Sequence, residues 1–208
     1  MPSRRVFGSS LAALLTLALV LRVVAALTWQ SRLADGETFA FPDSESYWVL
    51  AERIAGGDAY EFAGSQAFRT PGYPAALTPL FWIFEKPPAM AARLLGAAMG
   101  VVVVAGVSGL AWMLFDKRAA LIADGDAALH PGAVAVSILV LSEAMFCPLL
   151  ITGLLLWTAA WQSPRRGRSL WLAAATGIAA GLATLTRPSW LLFVPFAVLI
   201  GVAVYPPR

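Results

Sequence analysis

The sequence predicts an all-α, polytopic membrane protein with about six transmembrane helices and a long first outer loop that holds short amphipathic or interfacial helices. Three observations predict it. Of the 208 residues, 59% are hydrophobic and only 13% charged, against about 45–50% and about 25% in soluble domains. Apolar runs close to the ~20 residues a spanning helix needs recur along the chain. The acidic residues gather in one stretch, residues 30–92, whereas the basic residues fall in short clusters between apolar runs. The net charge of +3 is dispersed over several loops. That suits membrane orientation and argues against a nucleic-acid partner. The lone Cys147 excludes an intramolecular disulfide.

The first span is expected over residues 6–29. Arg4-Arg5 followed by an apolar run has the look of a signal peptide, but the run is longer than the roughly 7–15-residue core of one, so a retained helix is expected. Arg22 interrupts it. A charge inside a span is either functional or snorkels to the interface, and both readings stand. In the polar stretch, Tyr47, Leu50, Ala51 and Ile54 recur at helical spacing ahead of Gly56-Gly57, which predicts a short amphipathic helix. Residues 74–84 are apolar but too few to cross, so they are expected to lie in the interface. Further spans are expected over residues 93–115, 119–141 (interrupted by His130-Pro131-Gly132), 142–161, 170–185 and 189–205.

Six spans put both termini on one side. The basic clusters at Arg4-Arg5, Lys117-Arg118, Arg165-Arg166-Arg168 and Arg208 then share a face, which the positive-inside rule makes cytoplasmic. Residues 30–92 fall outside, and the whole of 1–208 reads as a single transmembrane domain with that stretch as its outer loop. On this topology Asp43, Glu45, Arg69, Glu143 and Arg187 collect at the outer end. Ionisable groups at membrane depth tend to pair and to face cavities. Such a set suits holding an anionic phosphate against a general base.

Each residue also has a plainer reading. Asp43 can be the N-cap of the helix that follows, Glu45 a solvated first-turn residue, Arg69 a stay for the turn Thr70-Pro71-Gly72-Tyr73-Pro74, Arg187 an interface anchor, and His130 a local hydrogen-bonding residue. Glu143, set between apolar neighbours, is harder to dismiss. Asp124 and Asp126 lie in poor helix material, Asp-Gly-Asp, and either line a cavity or mark a weakly inserting segment. No phosphate-cradling glycine motif, Cys/His metal spacing or Ser/His/Asp pattern is present.

Several motifs carry a resemblance that runs from residue 6 to about 200. They are Arg22 in the first span, Asp43-Ser44-Glu45-Ser46-Tyr47, Arg69-Thr70-Pro71-Gly72-Tyr73-Pro74, Phe115-Asp116-Lys117-Arg118, Leu141-Ser142-Glu143, and the segment from Gly181 to Arg187-Pro188. In their order the sequence resembles the N-terminal half of bacterial integral-membrane glycosyltransferases of the GT-C class. The nearest group is glycosyltransferase family 39, the protein mannosyltransferases and their aminoarabinose-transferase-like relatives.

The resemblance implies inverting transfer of a sugar from a polyprenyl-phosphate carrier to an acceptor on the outer face of a bacterial plasma membrane. It makes Asp43 the catalytic carboxylate, with Glu45 and Glu143 assisting. Arg69, Tyr73, Arg187 and Arg22 would serve the substrate and its phosphate. It leaves room for a divalent metal ion, with Asp43, Glu143 and His130 as candidate ligands. Ser44 separates two carboxylates that are adjacent in better-known members. Family members are longer, so the chain is expected to be truncated relative to them, with a partner chain supplying later spans. The alternative is a non-catalytic remnant, partner subunit or carrier-binding protein. A small transporter is a weaker third reading, because few charges mark a midplane path.

Overall fold

The computed structural model describes residues 4–33 and 38–204. Asp35 and Glu37 of the acidic loop and Arg208 of the last basic cluster lie outside the described residues. In chain order the elements are α1 (Arg4–Gln30), α2 (Pro42–Gly56), β1 (Glu61–Phe62), β2 (Ser65–Gln66), α3 (Gly72–Ile83), α4 (Ala89–Leu114), α5 (Lys117–Leu129), α6 (Pro131–Ile138), α7 (Glu143–Gln162), α8 (Arg166–Thr186), a 3-10 turn (Pro188–Trp190) and α9 (Phe193–Val204). Among the described residues, four helices are long and apolar enough to cross a membrane: α1, α4, α7 and α8.

The helices share two ends. At one, Phe7 of α1 packs on Trp112 of α4 with ring centroids 5.3 Å apart, and the Lys117 ammonium lies 5.7 Å from the Phe7 ring. Gln162 at the end of α7 donates to the Met113 carbonyl there at 3.1 Å. This end therefore carries Arg5, Lys117, Arg118 and the loop with Arg165, Arg166 and Arg168. Asp116 caps α5 at this end, its Oδ1 accepting from the N–H groups of Arg118 (2.8 Å) and Ala119 (2.9 Å). The bond from Ala119 foremost holds this exposed carboxyl below its usual range. At the other end, buried Arg93 of α4 donates to Gln30 Oε1 of α1 at 2.6 Å and to the Thr38 carbonyl at 3.1 Å. The start of α7 and the close of α8 also lie there, joined by Glu143 and Arg187.

The stretch expected as the third span is two helices, α5 and α6. Together they run the bundle beside α4. Ser108 of α4 donates to the Ala120 carbonyl at 3.3 Å, and Gly96, about three turns nearer the polar end, lies against the Ser137 carbonyl. The break has a chemical cause. Pro131 has no N–H, so the Ala127 carbonyl four residues earlier loses its helical donor. Arg22 supplies a replacement. Its Nη2 donates to Ala127 O at 3.3 Å, and its Nη1 to Ala128 O at 3.4 Å and Ala18 O at 3.1 Å. Only 1% of Arg22 is exposed. An orphaned buried carbonyl costs about 1–3 kcal/mol, and a cation suits a helix C-terminus. The expected sixth span is the shorter α9.

Between α1 and α4, residues 38–88 fold over the polar end. Helix α2 begins at Pro42, whose fixed φ suits the first helical turn. It stops at Gly57, where φ is +75°. The hairpin of β1 and β2 turns at Ala63 and Gly64, both with positive φ, as in a type I′ turn. It returns the chain toward α2 with Phe62 beside Phe68. Helix α3 then packs along α2. Tyr47 and Ala51 of α2, Tyr73 and Leu77 of α3, Ala92 of α4, Val140, and Ala144 of α7 form one buried cluster. Leu77 is fully buried, a burial worth roughly 1.5–3 kcal/mol. This cluster fixes the two loop helices to the bundle.

Candidate active site

The polar end holds a cavity of about 380 Å3 lined by Asp43, Tyr47, Phe68, Arg69, Thr70, residues 141–143 and residues 186–189. Four elements contribute, and each side chain reaches the cavity for a local reason. Asp43 is the second residue of α2 and not its N-cap, because Phe41 takes that position and makes no side-chain cap bond. The Asp43 carboxylate is therefore not committed to the helix. Its Oδ1 pairs with Arg69 Nη2 instead.

Arg69 is held on several sides. Its Nε donates to Ser46 Oγ at 3.2 Å. Its Cζ lies 5.3 Å from the Tyr47 ring and 4.8 Å from the Phe68 ring. Its carbonyl accepts from the Tyr60 hydroxyl at 3.0 Å. Burial foremost, with Tyr47 near, pushes the Tyr60 phenol up to about 12, so Tyr60 is a donor at neutral pH.

The segment after Arg69 is locked to α8. Thr70 Oγ1 donates to the Thr186 carbonyl at 3.1 Å. A Cβ on Gly72 would sit 2.6 Å from the Leu185 carbonyl carbon and 2.7 Å from the Thr186 nitrogen, so only glycine allows this approach. The lock brings the Arg69 loop beside Arg187. Arg187 Nη1 pairs with Glu143 Oε1, and its Cζ lies 5.9 Å from the Phe146 ring. Both ion pairs are partly exposed; the Arg69 and Asp43 side chains are 27% and 53% accessible and those of Arg187 and Glu143 are 38% and 32%. Exposed pairs contribute only about 0.2–1 kcal/mol. At that strength an incoming anion can take an arginine from its carboxylate.

The structure therefore brings together Asp43, Arg69, Glu143 and Arg187, and leaves other candidates elsewhere. Glu45 is exposed and does not line the cavity. Two residues along a helix turn roughly 200°, so Asp43 and Glu45 face apart. Tyr73 is 3% exposed and stacks edge-on against Tyr47, 5.1 Å between centroids. Burial foremost, then Tyr47 and Glu143, holds its phenol well above the ordinary tyrosine range. It supports the cavity wall from behind. Arg22 serves the α5–α6 joint. His130 is exposed and caps α6, its Nδ1 accepting from Ala133 N at 3.3 Å.

The donors present do not fit a metal centre. Asp43 and Glu143 are each taken by an arginine, and among the described residues no three His, Cys, Asp or Glu side chains converge. Asp124 is fully buried on α5, and neither carboxylate oxygen has a partner among the described residues; Asp126 is exposed.

Sequence reasoning missed Ser46, Tyr47, Phe68 and Phe146, which set the two guanidinium groups. Ser46 had a signal, its place three residues after Asp43 in a helical turn. Phe68 had one as well, its place directly before Arg69, whereas Tyr47 and Phe146 meet guanidinium groups distant in sequence.

A second, apolar groove of about 380 Å3 runs between α7, α8 and α9, from Trp161 and Ser169 to Ala183 and Trp190. The stretch of α8 from Ser169 to Ala183 is about 20 Å long at ~1.5 Å per residue. Trp190 stacks edge-on with Phe146, 5.6 Å between centroids. One ring, Phe146, thus touches both the Trp190 end of the groove and the Arg187 guanidinium.

A family model for dolichyl-phosphate-mannose-protein mannosyltransferase matches residues 69–207, well over half of the chain. The match includes Arg69, Glu143 and Arg187 and begins after Asp43. No curated protein and no solved structure gives a significant match.

Proposed function

The chain belongs to the dolichyl-phosphate-mannose-protein mannosyltransferase family, and we propose that it is an integral-membrane glycosyltransferase of the GT-C type, or part of one, that moves a sugar from a polyprenyl-phosphate carrier to an acceptor on the outer face of a bacterial plasma membrane. The observation that carries the reading is the polar cavity with two guanidinium groups and two carboxylates, linked through the Phe146 ring to one end of an apolar groove. A lipid-linked sugar phosphate has the matching chemistry, an apolar chain about as long as the groove or longer and an anionic head at its end.

In this reading Arg69 and Arg187 turn from their carboxylates to the carrier phosphate. Asp43, freed by that exchange, accepts the proton of the acceptor hydroxyl. The acceptor oxygen bonds to the anomeric carbon on the side opposite the phosphate. The carbon–oxygen bond to phosphate breaks, and its electron pair stays on the phosphate oxygen. The two arginines meet the charge that develops there, a form of stabilisation worth about 2.7–4 kcal/mol per donor in a well-aligned site. Glu143 sets Arg187 and faces the same space. No step runs through a metal ion.

Topology belongs to the same proposal. The chain crosses the membrane six times, with α5 and α6 as a broken third crossing and the segment of α9 as the sixth. The basic end is cytoplasmic and the cavity is outside. The separation of Arg5, Lys117, Arg118, Arg165, Arg166 and Arg168 from the cavity supports this orientation.

The test is transfer of labelled sugar from a polyprenyl-phosphate donor in membranes that contain the protein. Arg187→Ala is expected to raise the donor KM on the order of 10²-fold, with a smaller change in the KM of the acceptor. Transfer no greater than in membranes without the protein would remove the assignment.

A further inference from the structure

Ser46 is buried, with 1% exposed, yet its hydroxyl joins the two principal groups of the cavity wall. A serine hydroxyl has one hydrogen to give. Here it goes to the Asp43 carbonyl, 2.7 Å away and three residues earlier in α2. The oxygen can then only accept, and its other neighbour, Arg69 Nε at 3.2 Å, can only donate. The direction of both bonds is fixed by chemistry. One side of the guanidinium is tied at Nε, and the Nη2 that reaches Asp43 is oriented by that tie. The Tyr47 and Phe68 rings limit its tilt.

We propose that Ser46 is a positioning residue for Arg69: its hydroxyl ties the turn that carries Asp43 to the guanidinium that receives the donor phosphate, so that the arginine keeps its place when Asp43 lets go. The proposal rests on the reading of the cavity as the donor-phosphate site. Without the tie, the guanidinium of an Arg69 released by Asp43 keeps, among the described residues, its contacts with two aromatic rings. With the tie, release of the carboxylate leaves a guanidinium already aimed into the cavity.

The test measures binding of polyprenyl monophosphate to the purified full chain in detergent, followed by intrinsic tryptophan fluorescence, with helix content checked for each variant. Ser46→Ala is expected to weaken binding on the order of 10-fold, the scale of a lost hydrogen bond to a charged group. Ser46→Thr, which keeps a hydroxyl able to bond the same carbonyl, is expected to bind as the native chain does. Lysine has no Nε–H for Ser46 to accept, so in an Arg69→Lys background Ser46→Ala is expected to add no further loss. Native-like binding by Ser46→Ala, equal losses for the alanine and threonine variants, or the same loss in both backgrounds overturns the proposal while the donor site stands. Failure of the native chain to bind polyprenyl monophosphate overturns the donor site, and the role of Ser46 with it.

Discussion

Gly72→Ala tests how the cavity is assembled. The added methyl would stand 2.6 Å from the Leu185 carbonyl carbon, 2.7 Å from its oxygen and 2.7 Å from the Thr186 nitrogen. All three are backbone atoms of α8, so no side chain can swing aside. Ordinary contact between such atoms is roughly 3.5–4 Å, so the two segments must part by about 1 Å. Overpacking of this kind costs about 1–3 kcal/mol. The Thr70 to Thr186 hydrogen bond is lost with it, adding about 1 kcal/mol. The expected loss of stability is therefore about 2–4 kcal/mol. Arg69 also shifts relative to Arg187, and a displacement near 1 Å costs on the order of 10²-fold in rate.

Thermal unfolding in detergent and sugar transfer in membranes measure the two effects. Gly181→Ala is the matched control: a Cβ there meets nothing within 4 Å, and alanine is the better helix former by about 1 kcal/mol. A Gly72→Ala chain with the Tm and transfer rate of the native protein would refute the argument.

Three further outcomes are expected. Arg22→Met leaves the Ala127 and Ala128 carbonyls without their donor and lowers stability by about 2–4 kcal/mol; the folded fraction should keep its donor affinity, since Arg22 is not part of the cavity. Asp124→Asn removes a buried carboxylate that has no partner among the described residues, so thermal unfolding should move to higher temperature by a few degrees, about 1 kcal/mol or more; a clear drop would mean that the carboxylate has a native role. Glu143→Gln frees Arg187 from its carboxylate. It should tighten binding of polyprenyl monophosphate by about 1.4- to 5-fold, the 0.2–1 kcal/mol of an exposed ion pair, and weaker binding would contradict the exchange of carboxylate for phosphate.

The four long apolar helices were legible because length and composition alone identify them. The stretch expected as the third span, α5 and α6, was legible only as an interruption. His130-Pro131-Gly132 announces a break, but nothing local says that Arg22, more than a hundred residues earlier, repairs it. Arg22 itself drew attention as a charge within a span, and its partners in the fold are the backbone carbonyls of Ala18, Ala127 and Ala128. In the loop, the apolar periodicity begins at Tyr47, whereas the helix begins at Pro42. That shift matters, since Asp43 and Glu45 inside one helical turn cannot face the same way. The gathering of Asp43, Arg69, Glu143 and Arg187 at one end followed from charge placement along the spans. Their pairing and the Ser46 tie did not, because both depend on contacts between segments far apart in sequence.

The most direct test of the central claim is the turnover of Asp43→Asn measured beside its donor affinity in the same preparation. The amide keeps the shape of the side chain and cannot take a proton. Loss of a general base costs roughly 10²–10⁴-fold. The account predicts a fall of that size in kcat with polyprenyl-phosphate binding retained. Turnover equal to that of the native protein would contradict it.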